Sequence, residues 1–567
     1  MNTNPITPRH RPLALTTLTL ALFASSSAVW AQALPAPNAG QVLRDLQQTP
    51  VPGAAPSPTL PRPAAAPEAA KPGETQALVK SVLITGNSEL STAQLQPLVA
   101  DVVGKPQSVS QLTAAAARIT AYYRSRGFAV ARAYLPAQDI TAGAVTIAVV
   151  EGRISTLGVK NTSRLSDERA NTYFNQIKPG EVVRSEQIDR SLLLAQDTPG
   201  VGGSRATLQP GASVGTSELL IEVSPAKAYS GNVSLDNYGN RYTGEYRAAG
   251  TFTLASPLGI GDQLSFAGLT GGNNLNFGRI AYQLPVGSDG LRVGAAYFDT
   301  RYKLGKEFDT LAATGSASSV SGFAAYPFIR SHLTNLSGTI AYEHKRLQDN
   351  VGATAIETLK TVKVSSLGLS GNRQDAMGSG GISSFDLSVA LGKLRIDSPN
   401  TRAIDAASAQ SGGSYVRLSY ALDRLQRLSD ATQLWVSVVG QQANKNLDSS
   451  EKFSLGGANG VRAYPQSEGT GDEGIRATIE LRQTLFPNVQ GTVFYDVGSV
   501  TINKNPFGAP MSNERNLAGV GFGLNANVAA VQLRASLAWR VDGGLPTTVP
   551  AHAARKPMLW VMAALPF

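Results

Sequence analysis

The sequence predicts two small α+β modules followed by a transmembrane β-barrel of about 16 antiparallel strands. From Tyr229 to Phe567, apolar and polar residues alternate with a period of two, in segments as long as a tilted strand that crosses a bilayer. Short turn sequences and longer loops alternate between these segments. Upstream, between residues 77 and 225, strand and helix patterns occur twice in the same order.

The alternation is clearest in residues 531–541, where all six odd positions are apolar and four of the five even positions are polar. Because successive side chains of a strand point to opposite faces, one face is apolar and the other is polar. Backbone groups in lipid must all be paired, so such a sheet closes into a barrel with a polar lumen. A large soluble β-sandwich would also alternate and remains the alternative fold.

The first 33 residues predict a secretory signal peptide. Two basic residues, Arg9 and Arg11, precede an apolar run from Leu13 to Phe23, and residues 31–33 have the small-x-small form of a cleavage site. A membrane-anchoring helix fits less well because the dense apolar part is short. We therefore expect the mature chain to leave the cytoplasm.

Residues 34–76 are rich in proline and alanine, which predicts a linker with a tendency to polyproline structure. A proline-free island at residues 40–48 differs from the rest. Its residues favour a helix, and Val42, Leu43 and Leu46 can share one face of it. The island predicts either a short amphipathic helix on a tether or a frayed, nascent one.

The two modules are predicted to span residues 77–152 and 153–225. In the first module we expect a helix from the N-cap Ser91 through Val103 and a second helix that stops at Gly127. The second helix carries three arginines, which are either a substrate-recognition surface or an ordinary solvated face: Arg118, Arg124 and Arg126.

Composition excludes several classes of function. The chain has no cysteine and four histidines, so thiolate chemistry is impossible and histidine chemistry is restricted. Its net charge is +10, but the basic residues are scattered, which argues against nucleic-acid binding. The one G-x-S-x-G match, Gly211–Gly215, is followed by a predicted strand rather than the helix that a nucleophile elbow requires. We predict no catalytic residue, no metal site and no cofactor, so a secreted hydrolase is a weak alternative.

Six sequence stretches together carry a family resemblance: D-T-P-G-V at 197–201, L-Q-P-G at 208–211 with G-T-S at 215–217, D-N-Y-G at 236–239 with Y-T-G at 242–244, Y-P-F-I-R-S at 326–331, G-G-A-N-G-V-R-A-Y-P at 456–465 and F-Y-D-V-G at 494–498. On these, the chain resembles the TpsB transporters of two-partner secretion, which include hemolysin activators and filamentous hemagglutinin secretion proteins. They belong to the superfamily of barrels with periplasmic POTRA domains.

The resemblance implies a layout for nearly the whole mature chain. Residues 77–152 and 153–225 would be two POTRA domains, and residues 226–567 a barrel of 16 strands in the outer membrane. The helix near 40–48 would be a plug for the barrel. A loop near 448–474 would fold into the lumen and carry the family's V-R-G-Y motif, here Val461, Arg462, Ala463 and Tyr464. Alanine replaces the family's glycine, and its Cβ disfavours a positive φ at the loop tip.

Strand parity gives Arg462 partners on the inner wall. Asp496 shares its face with Phe494 and Gly498, opposite the apolar positions of the same strand, and Glu480 points inward by the same argument. A guanidinium paired with such carboxylates would pin the loop in the channel. The alternative is an ordinary solvated arginine.

The resemblance implies a protein-translocating pore and no enzyme. Its partner would be a large exoprotein with an N-terminal secretion domain, of the hemolysin, adhesin or contact-dependent toxin type, exported with or without activation. Strand addition at a POTRA edge is the expected mode of recognition. The terminal aromatic Phe567 is typical of barrels that the assembly machinery inserts among outer-membrane lipids. A barrel-assembly insertase of the same superfamily and a passive porin remain alternatives.

Overall fold

A computed structural model describes residues 36–47, 76–128, 130–213, 215–508 and 512–567. The predicted signal peptide and most of the predicted linker lie outside the described residues. Among the described residues, none of the helices has the length and hydropathy of a membrane span.

The first module packs helices on a small mixed sheet. In this sheet the central strand β5 pairs in parallel with β2 and antiparallel with β4, while β1 and β3 form a separate two-stranded ribbon. Its core includes Leu112, Ile119 and Ile147, all fully buried. The elements are β1 Gln76–Leu78, β2 Ser81–Thr85, α2 Thr92–Leu95, β3 Pro106–Ser108, α3 Val109–Ser125, β4 Arg132–Tyr134 and β5 Ala144–Val150; α1, Ala39–Gln47, precedes them.

The second module repeats this plan, with strand order β6-β8-β7 and β6 parallel to β8. Phe174, Leu219 and Ile221 lie in its core. Only one side of β7 is paired in this sheet, so β7 is an edge strand of 10 residues. The elements are β6 Arg153–Asn161, α4 Asp167–Thr172, α5 Ser185–Gln196, β7 Val201–Pro210 and β8 Thr216–Pro225.

One predicted helix is wrong. Instead of a continuous helix from Ser91 through Val103, only Thr92–Leu95 is α-helical, and two 3₁₀ turns follow it. Pro97 explains the break, because proline has no N–H to donate to the preceding turn and its ring crowds that turn's carbonyl. The first of the two 3₁₀ turns, Gln96–Leu98, contains this proline near its start.

The rest of the chain forms a closed antiparallel barrel of 16 strands, which confirms the predicted fold class. Two more strands, β20 Phe453–Ser454 and β21 Thr470–Gly471, pair with each other outside this sheet, and α6 Pro399–Ala406 lies in a connection. The barrel strands are β9 Tyr229–Asp236, β10 Arg247–Ala255, β11 Gln263–Thr270, β12 Leu275–Val286, β13 Leu291–Lys303, β14 Ala313–Arg330, β15 Thr334–Val351, β16 Ile356–Asp375, β17 Gly381–Ile396, β18 Gly413–Arg427, β19 Thr432–Ala443, β22 Glu473–Phe486, β23 Val489–Thr501, β24 Glu514–Val528, β25 Val531–Asp542 and β26 Met558–Pro566.

The barrel closes where β26 pairs with β9, from Met562↔Asp236 to Pro566↔Asn232. The C-terminal residue extends this seam, because Phe567 and Gly231 exchange backbone hydrogen bonds of 3.0 and 3.1 Å. A Cβ on Gly231 would lie 2.2 Å from the Phe567 ring, so the terminal aromatic ring covers this glycine.

The second module docks on the short turns at one end of the barrel. Asp197, just after α5, accepts hydrogen bonds of 2.7 and 2.8 Å from the guanidinium of Arg330 at the end of β14. Ser166 donates its backbone N–H to the carbonyl of Gly259 at 2.8 Å. Two of the sequence stretches that carry the family resemblance, around Asp197 and around Arg330, therefore bind each other.

Candidate functional site

The connection between β19 and β22 enters the barrel. We name residues 444–472 the inward loop. Strands β20 and β21 form a short hairpin within it, and Leu455, Val461 and Tyr464 form a hydrophobic cluster with Phe494 of the wall. The motif predicted from the sequence is buried at Val461, Ala463 and Tyr464. The loop is therefore packed against the wall as part of the folded core.

Arg462 at the loop tip binds two wall carboxylates. Its Nε and Nη2 donate to the two oxygens of Asp496 at 2.8 and 2.9 Å, and its Nη1 donates to Glu480 at 2.7 Å. Its backbone N–H also donates to Asp496, at 3.1 Å. Asp496 is 1% exposed and Glu480 5% exposed, so both carboxylates need charge compensation. Arg462 supplies it to Asp496 and shares Glu480 with Arg482, whose Nε donates to Glu480 at 2.9 Å.

Two aromatic residues complete the seat of Arg462. Its Cζ lies 3.2 Å from the centre of the Phe494 ring, a cation–π contact. Trp560 on β26 donates its indole N–H to the carbonyl oxygen of Arg462 at 2.8 Å, and its ring packs edge-on against Tyr238. Sequence reasoning missed Trp560, although its even position, opposite the apolar odd positions of the last strand, indicates an inward side chain.

Glycines on the wall make room for the loop. A Cβ on Gly519 would lie 2.5 Å from the Cβ of Ala463, and one on Gly498 would lie 2.6 Å from a methyl group of Leu455. The backbone of Ala463 does not have a positive φ, so alanine is accommodated without strain. The next residue, Tyr464, donates its hydroxyl to the carbonyl oxygens of Asp542 and Gly544 at 2.7 and 3.0 Å.

Buried ion pairs that sequence reasoning missed hold the base of the inward loop. Glu451 is fully buried between Lys345 and Arg417, at 2.9 and 2.8 Å, and Asp448 binds Lys360 at 2.8 Å. Glu468 is also fully buried and binds Arg515 at 2.8 Å. One feature of the sequence could have predicted these ion pairs. The loop contains several acidic residues, and the inward positions of the strands around it carry basic residues.

Helix α1 lies within the barrel and contacts both the wall and the inward loop. Its first backbone N–H, from Ala39, donates to Asp349 of β15 at 2.7 Å. Arg44 is buried and donates to the hydroxyl of Ser467 at 3.2 Å. A Cβ on Gly40 would lie 2.3 Å from the hydroxyl of Ser449, so α1 and the inward loop approach each other closely at this glycine.

The three apolar residues predicted for the helix are not equally buried. Val42 and Leu43 are 5% and 0% exposed, while Leu46 is half-buried. The plug role of α1 remains a prediction.

Comparison with known proteins identifies the family. The model of the family "Haemolysin secretion/activation protein ShlB/FhaC/HecB" matches residues 215–526, more than half of the chain. The chain belongs to this family. A second model, "POTRA domain, ShlB-type", matches residues 78–152. The first module is thus a POTRA domain, and we refer to both modules as POTRA domains, since the second repeats its plan.

Family relatives cover most of the chain. The heme/hemopexin transporter protein HuxB of Haemophilus influenzae is 29% identical over 473 residues, covering 82% of this chain and 83% of the relative. The hemolysin transporter protein ShlB of Serratia marcescens is 26% identical and covers 83% of this chain and 84% of the relative. The solved structure of CdiB from Escherichia coli has the same fold, with a TM-score of 0.70 at 19% identity, covering 92% of this chain and 95% of that one. The protein is an outer-membrane transporter with periplasmic POTRA domains.

Of the three arginines predicted for recognition, Arg118 and Arg124 are exposed on α3 and Arg126 directly follows its last residue; their surroundings differ. Arg118 forms a two-point pair with Asp101 at 2.8 and 2.7 Å, and this hydrogen bonding holds the pKa of Asp101 below its ordinary value. Arg126 donates to the hydroxyl of Tyr122 at 2.8 Å, and Arg124 is exposed. The structure does not gather them into one site.

The described residues contain no cluster of three or more His, Asp or Glu side chains arranged to hold a metal ion. Gly211 and Gly215 lie in the turn that joins β7 to β8.

Proposed function

We propose that this chain secretes one dedicated exoprotein through the barrel, without an enzymatic step. The single observation that carries the proposal is the seating of Arg462 against Asp496 and Glu480 inside the lumen. A passive porin has no need of a loop pinned by a buried guanidinium, nor of POTRA domains docked on its turns. The relatives are named a heme/hemopexin transporter and a hemolysin transporter, and the second name supports a secreted protein as the cargo.

The POTRA domains are the proposed entry point for the cargo. Edge strand β7 offers 10 residues with one side unpaired in the sheet, and added strands bind through main-chain hydrogen bonds that tolerate varied sequences. Exposed arginines on α3 would add selection for acidic segments. The N-terminal secretion domain of the exoprotein would bind here before it enters the lumen.

Helix α1 occupies the lumen, so the exoprotein can pass only if α1 leaves the lumen or shifts within it. Helix α1 rests on the inward loop through Gly40 and Arg44, so its release would free Ser449 and Ser467 of that loop. We propose that cargo binding at the POTRA domains displaces α1, while Arg462 keeps the loop tip seated. Folding of the exoprotein outside the cell would supply the driving force.

Deletion of the gene tests the function. Mass spectrometry of culture medium and outer membrane, compared with the parent strain, should show the loss of one large extracellular protein with other barrels intact. Broad depletion of outer-membrane barrels would instead indicate an insertase. Unchanged fractions, in a strain that expresses the exoprotein, would contradict the proposal.

A further inference from the structure

The outer surface of the barrel carries a basic cluster near its extracellular end. On β15 to β17 the outward side chains include five bases within two adjacent rows of the sheet. One row holds His344, Lys363 and Lys393, which are in register with one another across the three strands. The next row holds Arg346 and Arg395, aligned on either side of Thr361. We name these five residues the basic belt.

The outward direction of the basic belt follows from burial. Along β17, Lys393 and Arg395 are exposed while the intervening Leu394 is buried. Along β15, Arg346 is exposed between the buried Lys345 and Leu347. The belt therefore lies on the face of the barrel that contacts the membrane and the space just above it.

The height of the basic belt is fixed by its neighbours. The next outward row toward the middle of the barrel holds Tyr342 and Leu391, and the row below that holds Ile340, Leu367 and Val389, all of them exposed. Successive outward residues are about 7 Å apart along a strand. Exposed aromatic residues mark the membrane interface in barrels of this kind. The basic belt therefore begins one outward residue, about 7 Å along the strand, above the exposed apolar rows. This is the level of the lipid headgroups.

The charges of the basic belt repel one another. Lys363 lies directly opposite Lys393, and like charges at such positions destabilise a sheet. Of the five residues, Arg395 alone forms an ion pair with a residue that the structure describes, Asp397 at 2.5 Å. One further acid, Asp299, lies in the row of Arg346 but two strands away, and it pairs with Arg301. An anionic ligand at the belt would relieve this repulsion.

We propose that the basic belt binds the phosphorylated headgroup of the lipopolysaccharide in the outer leaflet. The leaflet follows from the docked POTRA domain, which marks the opposite end of the barrel as periplasmic. Guanidinium and ammonium groups are the side chains that bind phosphate, and the exposed apolar rows below would contact the acyl chains. The site would hold the barrel at a fixed depth and orientation in the membrane.

The experiment measures lipid binding to the detergent-solubilised full chain by native mass spectrometry. The probes are diphosphorylated lipid A, dephosphorylated lipid A and phosphatidylglycerol. The test variant is K363Q/K393Q. The control variant is R373Q, which lies on the outward face of β16, the strand of Lys363, at its periplasmic end. Heat-modifiable electrophoretic mobility confirms that each barrel is folded.

The wild type and R373Q should bind diphosphorylated lipid A best. K363Q/K393Q should bind it about 30-fold more weakly, which corresponds to about 1 kcal/mol for each lost charge. Equal binding by K363Q/K393Q would overturn the proposal. If that variant does not fold, the wild-type protein alone tests the proposal. Equal affinity of the wild type for diphosphorylated and dephosphorylated lipid A, or a preference for phosphatidylglycerol, would overturn the proposal.

Discussion

Arg462 binds Asp496 both through its guanidinium, at 2.8 and 2.9 Å, and through its own backbone N–H, at 3.1 Å. The side-chain contacts neutralise a buried carboxylate, and the backbone contact fixes the position of the loop itself. A lysine could supply the charge but not the two-point geometry. The pair is therefore a specific anchor for the inward loop.

Arg462→Ala should abolish secretion while the barrel still inserts. Removing one partner from a buried ion pair costs about 3–5 kcal/mol, because the remaining charge is left uncompensated. Here Asp496 would lose its guanidinium and Glu480 would keep only Arg482, so the loop tip should detach from the wall. The measurement is exoprotein in the medium together with the heat-modifiable barrel in the outer membrane.

Arg482→Ala is the control for that variant. Arg482 donates to Glu480 at 2.9 Å from the same strand and does not touch the loop. It should leave secretion near the wild-type level. Normal secretion by Arg462→Ala, or an equal loss in both variants, would contradict the anchoring role.

Contact between Ala463 and Gly519 predicts a compensating pair of substitutions. Gly519→Ala should impair secretion because its new Cβ would approach the Cβ of Ala463 to 2.5 Å. Ala463→Gly should be tolerated, and the double variant should recover most of the lost secretion. Failure of Ala463→Gly to rescue Gly519→Ala would show that the glycine is needed for another reason.

Cross-linking α1 to the inward loop should block transport reversibly. The chain contains no cysteine, so Gly40→Cys with Ser449→Cys introduces the only two thiols. A Cβ at residue 40 would lie 2.3 Å from the Ser449 hydroxyl, so the two positions are in contact, and the helix must move slightly away from the loop to reach disulfide geometry. Secretion should stop when the disulfide forms and resume after reduction. Full secretion by the cross-linked protein would show that α1 does not need to leave.

Each single cysteine variant serves as the control for the cross-link. Neither can form the intramolecular disulfide, so reductant should not change its secretion. A block in the Ser449→Cys variant alone would point to a defect in the loop rather than to retention of the helix.

Charge reversal on α3 tests recognition by the first POTRA domain. Arg124→Glu should weaken binding of the exoprotein's secretion domain more than Arg118→Glu, because Asp101 already engages Arg118. The effect should shrink as salt is raised, since exposed charges are screened. Binding is measured with the purified full chain by isothermal titration.

Lys160→Glu is the control for α3. Lys160 is exposed, but it lies on β6 of the second POTRA domain. The Lys160→Glu variant should bind the exoprotein's secretion domain as tightly as the wild type does. A similar loss in Lys160→Glu and Arg124→Glu would mean that overall charge, rather than α3, governs the interaction.

Local pattern suffices to predict the strands and the direction of their side chains. The even position of Asp496 is enough to place it on the inner wall, because strand parity needs no knowledge of the partner strand. The helix expected through Val103 fails where Pro97 interrupts it. A strong breaker inside a helical pattern outweighs the periodicity around it.

Contacts between residues that are far apart in the sequence cannot be predicted from such local patterns. Lys345 and Glu451 are 106 residues apart and meet only because the inward loop folds back across the lumen. The need for glycine at Gly519 likewise depends on which loop residue faces it. Such contacts depend on barrel closure, which no local window of sequence contains.

Export of one dedicated exoprotein can be measured by comparative mass spectrometry of culture medium and outer membrane. The parent strain, the deletion strain and the deletion strain complemented with Arg462→Ala are compared. We expect one large extracellular protein to disappear from both mutants, while other barrels and the Arg462→Ala barrel itself remain in the membrane. An unchanged medium in the deletion strain, with the exoprotein gene expressed, would contradict it.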